Sequence, residues 1–272
     1  MGNHNSDKSI GTGLKFTKKN LILQKVKISI QFKNSTSQHI LDMSKGINLT
    51  QQISRKPSDN VNAYFIPPPQ FAPFKMGGFV GSVVMGGACN CEDITFNAHG
   101  NGTHTECVGH ITKESVYMTD MAIPIFCEAL LIEVKPVKLP NGDFIIDSTS
   151  YDWEALPTAE AIIIRSGFIE PKMQFSGTNP CYFHPEIAQL IQGKGFNHLI
   201  TDLPSVDREE DGGLLAAHKA FFNYPQEISK VKTISELAYI PIAAAPGKYA
   251  LHFGISSIQS DAVPSNLTIF AL

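Results

Sequence analysis

The densest chemistry in the chain lies in twelve residues: His99-Gly100-Asn101-Gly102-Thr103-His104-Thr105-Glu106-Cys107-Val108-Gly109-His110. Three imidazoles and a carboxylate offer nitrogen and oxygen donors that suit a divalent ion such as zinc or manganese. Side chains of a strand alternate between its faces. His104, Glu106 and, if the strand runs on, His110 therefore share one face. His99 falls out of that register, and Gly100 and Gly102 permit the bulge or turn that swings it back. The glycines and the β-branched Thr103 and Val108 disfavour a helix. A single histidine is usually a hydrogen-bonded core residue, but three with a glutamate around a glycine turn read as a metal or catalytic site. A thiol nucleophile at Cys107 with His110 as partner is the weaker alternative, because Cys107 points away from Glu106 in a strand.

Other elements must hold this segment in place. Leu21 to Phe32 alternates apolar and polar residues, as a half-buried strand does, and His39 to Ser44 reads as a second short strand entering a turn. Asn62 to Pro73 is too rich in proline for a helix or a central strand. It reads as a loop carrying Tyr64, Phe65 and Phe71, packed on itself or walling an apolar pocket. Phe79–Val84, Ala129–Val134, Ala161–Arg165, His198–Asp202 and Tyr249–Phe253 read as strands, the last continued by Ile255–Ile258. Asn141-Gly142-Asp143 reads as a hairpin turn. Pro185–Gly193 reads as a helix, with proline opening it, Glu186 in the first turn, and Ile187, Leu190 and Ile191 on one face. Gly213–Phe222 is helix-like and carries His218. Asp202, Ser205 and Asp207 follow a strand end, where α/β sites tend to form, although Asp207 reads equally well as a turn cap. Many strands, few helices and no regular βαβ alternation indicate a mixed α/β or α+β domain.

Composition sets the limits. The chain has 272 residues, 43% of them hydrophobic and 17% charged, enough for a substantial core. A net charge of −3 gives no electrostatic case for nucleic acid or anionic membrane. No apolar run approaches the ~20 residues of a spanning helix. Residues 1–13 are polar and glycine-rich, the composition of a mobile segment, and 14–272 read as one domain. Five cysteines without paired CxxC units favour reduced thiols in a cytoplasmic protein. Cys89 and Cys91 form a CxC pair, read as buried free thiols in preference to a metal site.

The histidine segment resembles the signature of the cyclase family of metal-dependent hydrolases, which includes bacterial-type kynurenine formamidase and isatin hydrolase. That signature runs H-x-G-T-H-x-D-x-P-x-H. Gly102-Thr103-His104 matches its G-T-H and His110 its last histidine, while His99 lies one residue further out, Glu106 replaces the aspartate and Val108 the proline. Arg165-Ser166-Gly167-Phe168 is similar to the family's R-T-G-W, and Asp202-Leu203-Pro204-Ser205-Val206-Asp207 to its D-x-P-S-x-D.

The resemblance implies a single domain of swivelling β/β/α layered architecture, a homodimer or homotetramer, and aromatic pocket residues at Tyr64, Phe65 and Phe71. It also implies a downstream helical histidine, which His218 fits, and a strand glutamate, which Glu236 fits better than the competing Glu227. One or two ions, Zn2+ or Mn2+, are then expected per chain. His99, His104 and Glu106 hold the first, and Glu106 bridges to a second held by His110, His218 and Glu236. His110 or His218 moves the proton as water attacks an amide-type bond of a small molecule, an aryl formamide or small cyclic amide. Non-catalytic metal or ligand binding on the same fold is the alternative.

Overall fold

Seven strands close on themselves in the computed structural model, which describes residues 26–33, 35–167 and 169–272. In chain order they are β1 (His104–Glu106), β2 (Phe126–Glu133), β3 (Ala161–Arg165), β4 (His198–Thr201), β5 (Thr233–Glu236), β6 (Gly247–Ile255) and β7 (Ala262–Ala271). Around the ring they run β6-β2-β3-β4-β5-β1-β7, and β7 pairs back to β6. The four strands β2 to β5 are mutually parallel, and the remaining pairings are antiparallel. Closure pairs both sides of each ring strand, so no long edge is left to recruit another chain.

Alternation along the strands sorts the apolar residues into two cores. Ala129, Leu131, Ala161, Ile163 and Ile200 pack with Leu251, Phe253, Leu267 and Ile269, which come from the antiparallel strands β6 and β7. Their neighbours Leu130, Ile132, Ile162, Ile164, Leu199 and Ile234 pack instead beneath two helices, α2 (Pro185–Gly193) and α3 (Ala216–Phe222). A third, single-turn helix is α1 (Ala98–Asn101). Each fully buried isoleucine or leucine contributes roughly 1.5–3 kcal/mol, so the two-faced pattern of β2 to β4 is what fixes their register.

Helix α2 has the limits its sequence predicts. Proline opens it, and the His184 side chain accepts from Glu186 N. Strand β3 matches its expected span, and Gly142, at φ +96°, turns the hairpin between Val137–Lys138 and Phe144–Ile146. Five expectations need correction. Asn62–Pro73 is not loop throughout: Gln70–Pro73 is a strand paired antiparallel with Glu92–Thr95, its Pro73 tolerated in a two-stranded ribbon. Phe79–Val84 is a strand only at Phe79–Val80. A side chain at Gly81 would lie 2.1 Å from the Cys91 carbonyl oxygen, so the chain turns there and leaves Val83 and Val84 exposed. Cys89 and Cys91 are likewise exposed rather than buried. Strand β6 stops at Ile255, short of Ile258. In the histidine segment a single helical turn, which the glycines disfavour, carries His99 in place of a bulge, and the strand does not run on to His110, which lies on the 3-10 turn Val108–His110.

The segment 1–13, the start of the strand expected from Leu21, and Phe168 lie outside the described residues; what is described of that strand is Lys27–Gln31. Among the described residues, no helix is long and apolar enough to cross a membrane.

Candidate metal centre

Strand β1 is three residues long and is paired on both sides. His104 lies opposite Glu236 of β5 on one side, and Glu106 lies opposite Ala262 of β7 on the other. Directly opposed residues share a face, so β1 and β5 present His104, Glu106 and Glu236 together, beside Ile234, towards α3. Thr105 points the other way and meets the Ser235 hydroxyl at 2.7 Å. Helix α3 buries Ala217, His218, Phe221 and Phe222, the spacing of one helical face, and that face delivers His218 to the cluster. His99 reaches it through α1. There the Asn97 side chain accepts from His99 N, and one helical turn solves the register problem that a strand could not.

The six side chains expected to converge do so. His104 Nε2 is 3.4 Å from Glu236 Oε2, and His218 Nε2 is 2.9 Å from Glu106 Oε1 and 3.6 Å from Glu236 Oε1. His99 Nδ1 lies 3.3 Å and His110 Nδ1 3.9 Å from Glu106 Oε2. The donors form two groups that share Glu106: His99 with His110, and His104 with Glu236. This grouping differs from the expected division, because β-pairing puts His104 beside Glu236 while the helical turn puts His99 beside His110.

Protonation is set from behind. His104 Nδ1–H donates to the Gly102 carbonyl at 3.1 Å, and His218 Nδ1–H donates to Asp207 Oδ2 at 2.6 Å. Each ring therefore turns its Nε2 inward, the arrangement of metal-ligating or proton-transferring histidines; burial opposes a charge on His218, but the Glu106 and Asp207 carboxylates lift its imidazole well above the ordinary value. Among the described residues, His104 Nε2, His218 Nε2 and both Glu106 oxygens are buried without a hydrogen-bond partner despite these short approaches. A buried carboxylate left without donors costs several kcal/mol unless a cation compensates it.

Burial opposes ionisation of Glu106, but the imidazoles around it, His110 and His218 foremost, hold its carboxyl well below the usual range. Burial likewise opposes charging His99, yet its bonds to Asp261 and Glu106 lift it to about 10. The cluster is built around positive charge, and its donor set fits a divalent ion of the zinc or manganese type.

Asp261 was not legible as a site residue. It sits just before Ala262, the residue opposite Glu106, and its Oδ2 takes both His99 Nε2 at 3.1 Å and His110 Nδ1 at 3.3 Å. Asp207 does two things at once. Its carboxylate accepts from Ala217 N at 2.7 Å and His218 N at 3.1 Å, capping α3 from a distance, while it orients the His218 ring. Glu227 is outside the cluster, paired with Lys232 at 2.7 Å. Arg165 is structural: it pairs with Glu133 and donates to the Pro241 and Ala244 carbonyls. The Cys107 thiol lies 3.6 Å from the Val116 carbonyl, and burial pushes it up to about 11, so it is no nucleophile.

A cavity of about 310 Å³ opens over the cluster, lined by Tyr64, His99, His110, Arg208, His218 and Glu236 among others. Tyr64 donates to the Pro204 carbonyl at 3.0 Å, and with Phe65 it adopts left-handed backbone at φ +57° and +55°. Such strain costs roughly 1–3 kcal/mol per residue and concentrates at functional sites. Phe65 and Phe71 do not line this cavity. Phe65 is 73% exposed, and Phe71 packs under the Arg55 guanidinium, 4.7 Å from its ring centroid.

Comparison with known proteins bears on the fold and the family. A 137-residue stretch is 26% identical to the kynurenine formamidase of Bacillus cereus, covering 50% of this chain and 61% of that protein, less than two thirds of its length. Isatin hydrolase A from Ralstonia solanacearum superposes over 84% of this chain and 92% of its own, with a TM-score of 0.58 and 13% identity. A structure described as a predicted metal-dependent hydrolase from Bacillus stearothermophilus covers 83% of this chain and 98% of its own, with a TM-score of 0.54 and 14% identity. At such identities the likeness is one of fold. Residues 26–208 match the family described as "Putative cyclase", and with more than half of its length matched the chain belongs to that family.

Proposed function

We propose that this chain is a metal-dependent hydrolase that directs an activated water at an amide-type bond, of the aryl formamide or small cyclic amide class. The observation that carries the reading is the set of four buried atoms without a hydrogen-bond partner among the described residues, His104 Nε2, His218 Nε2 and the two Glu106 oxygens, turned towards one another beside a cavity that His218 and Glu236 line. The names of the relatives, a kynurenine formamidase and isatin hydrolases, support hydrolysis of a carbon–nitrogen bond. The fold we infer with it is the swivelling β/β/α architecture, assembled as a homodimer or homotetramer.

His104, Glu106 and Glu236 would hold one zinc or manganese ion, and His99 and His110 with Glu106 a second. A bound ion of this kind supplies Lewis acidity, polarising a carbonyl and acidifying water. The protein's own part is to place and move the proton. His218 is fixed by Asp207 as the Nδ1–H tautomer, so its Nε2 takes the proton of the attacking water and returns it to the leaving nitrogen. His110, grouped with His99 and Glu106, serves as the base only where the second ion is missing. Tyr64 and the loop behind it close one wall and restrict water.

Elemental analysis of the purified protein after incubation with zinc and manganese, beside a His104→Ala variant and a formanilide assay, tests this. One or two ions per chain, lost with activity in the variant, support the reading. A wild-type protein that takes up neither metal sinks it.

A further inference from the structure

The two donor groups that share Glu106 differ in depth. His104 and Glu236 are buried and form an inner group with it, while His99 and His110 are half-buried and form an outer one. They also differ in what holds them. In the inner group His104 Nδ1–H donates to the Gly102 carbonyl, and Glu236 Oε1 accepts from Val206 N at 2.9 Å. In the outer group, among the described residues, the side chains that pair with the His99 and His110 rings are Glu106 and Asp261.

Asp261 is firmly mounted for this. Its carbonyl accepts from Cys107 N at 3.0 Å, which fastens it beside the end of β1, and its Oδ1 accepts from the Ser260 hydroxyl at 3.2 Å. Its Oδ2 is left for the imidazoles. His99 stands between two carboxylates, with Nδ1 3.3 Å from Glu106 Oε2 and Nε2 3.1 Å from Asp261 Oδ2. An imidazole that gives one nitrogen to an ion has a single N–H left, and ligating histidines place it on a carboxylate, a carbonyl or water. Asp261 accepts at Nε2, which leaves Nδ1 for the side that Glu106 occupies. The same Oδ2 lies 3.3 Å from His110 Nδ1, nearer than Glu106 at 3.9 Å, and the two rings are 4.4 Å apart between centroids. One oxygen is therefore the common support of both outer histidines.

We propose that Asp261 is the positioning residue of the outer group: it orients His99 towards an ion shared with Glu106, holds His110 beside it, and so sets whether the centre carries a second ion. This rests on the metal centre of the hydrolase reading above and adds the residue that decides its stoichiometry. Removing Asp261 takes away nothing that holds the inner group, so one of two binding events should weaken and the other should not.

The test titrates Zn2+ alone, and in parallel Mn2+ alone, into the metal-free full chain by calorimetry, with no substrate present. The wild type should take up two ions. Asp261→Ala should weaken one event about 10- to 100-fold, the usual cost of losing a carboxylate behind a ligating histidine, and leave the other within about twofold. Asp261→Asn keeps an acceptor oxygen without the charge and should fall between; it also carries the test should the alanine variant not fold, which metal-free melts reveal. Imidazole nitrogen shifts of the zinc-loaded wild type should place the His99 proton on Nε2. Two events weakened alike, neither changed, a wild type that takes up one ion, or a His99 proton on Nδ1 overturns the proposal while leaving the hydrolase reading intact. A wild type that takes up neither metal overturns both.

Discussion

Asp207→Asn separates positioning of His218 from simple capping of α3. The carboxylate takes three donors: Ala217 N at 2.7 Å on Oδ1, and His218 N at 3.1 Å and His218 Nδ1 at 2.6 Å on Oδ2. An amide has one oxygen, so its NH2 must face a donor in either orientation. If the oxygen replaces Oδ2, the ring keeps its tautomer and the Ala217 N–H loses its cap. If it replaces Oδ1, the ring must switch to the Nε2–H tautomer, which turns a proton towards Glu106 in place of a lone pair. Losing one charge-assisted bond at this 7%-exposed residue costs about 1.5–3 kcal/mol. At roughly 2–4 °C per kcal/mol for a chain of this size, Tm should fall by about 3–12 °C.

If the tautomer switches, kcat should fall about 10²- to 10⁴-fold; the upper figure is the known cost of the same Asp-to-Asn change in the serine protease triad. The assays are a thermal melt, kcat on formanilide, metal content, and imidazole nitrogen shifts, which report the tautomer without needing turnover. A variant with lowered Tm, the Nε2–H tautomer and wild-type kcat would refute the proton-transfer role of His218. Wild-type Tm and tautomer together would refute the structural reasoning itself.

Other substitutions probe the centre and its frame. Glu236→Gln should lower metal content to about half or less with Tm changed by only a few degrees, because Val206 N can still donate to the amide oxygen that replaces Oε1; full retention of metal would remove Glu236 from the ligand set. Gly109→Ala should unfold or strongly destabilise the protein, since its Cβ would lie 1.9 Å from the Val116 carbonyl oxygen, a backbone atom that cannot swing aside; a melt within about 2 °C of wild type would contradict this.

Asp202 gives a pH-dependent case. Burial raises its pKa from the ordinary 3.8 to about 7, against the bonds from Ser166 N. A raised folded-state value means that its contribution to stability is fully present below about 3.8 and is lost as pH rises through about 7. That gap corresponds to at most roughly 4 kcal/mol. Asp202→Asn removes the titration, so the stability difference in its favour should widen by roughly 2–3 kcal/mol between pH 5 and pH 7 and then level off; a difference that does not change with pH would show that Asp202 is ionised in the fold throughout.

Elements carried by local patterning were legible in the sequence, and those set by pairing across the chain were not. The four apolar residues from Ala161 and the capped, one-faced Pro185–Gly193 announce themselves because burial and capping are local properties of each segment. The single turn at Ala98–Asn101 does not. Its glycine has poor helix propensity, and it forms because Asn97 caps it and Gly100 packs against Ile66, where a Cβ would fall 2.5 Å from the Ile66 Cδ1 atom. Phe65 and Phe71 show the converse failure: proline content marks only the first part of the segment as loop, since Gln70–Pro73 pairs as a strand with Glu92–Thr95, and nothing in its composition tells which aromatic faces the cavity.

Asp261 shows why part of the centre cannot be read locally. His104 and Glu106 share a face by the period of the strand alone, and that much follows from spacing. Glu236 and Asp261 join them only because β1 is inserted between β5 and β7, with registers that set Glu236 opposite His104 and Ala262 opposite Glu106. Slipping β5 by one residue would turn Glu236 to the face where Ser235 now meets Thr105, and would leave Ser235 or Leu237 opposite His104 in place of a carboxylate. The apolar alternation of Ile234 against the helices forbids that slip. The same burial that stabilises the outer core therefore holds a carboxylate 3.4 Å from His104, and the centre's precision is a consequence of sheet register rather than of the histidine segment alone.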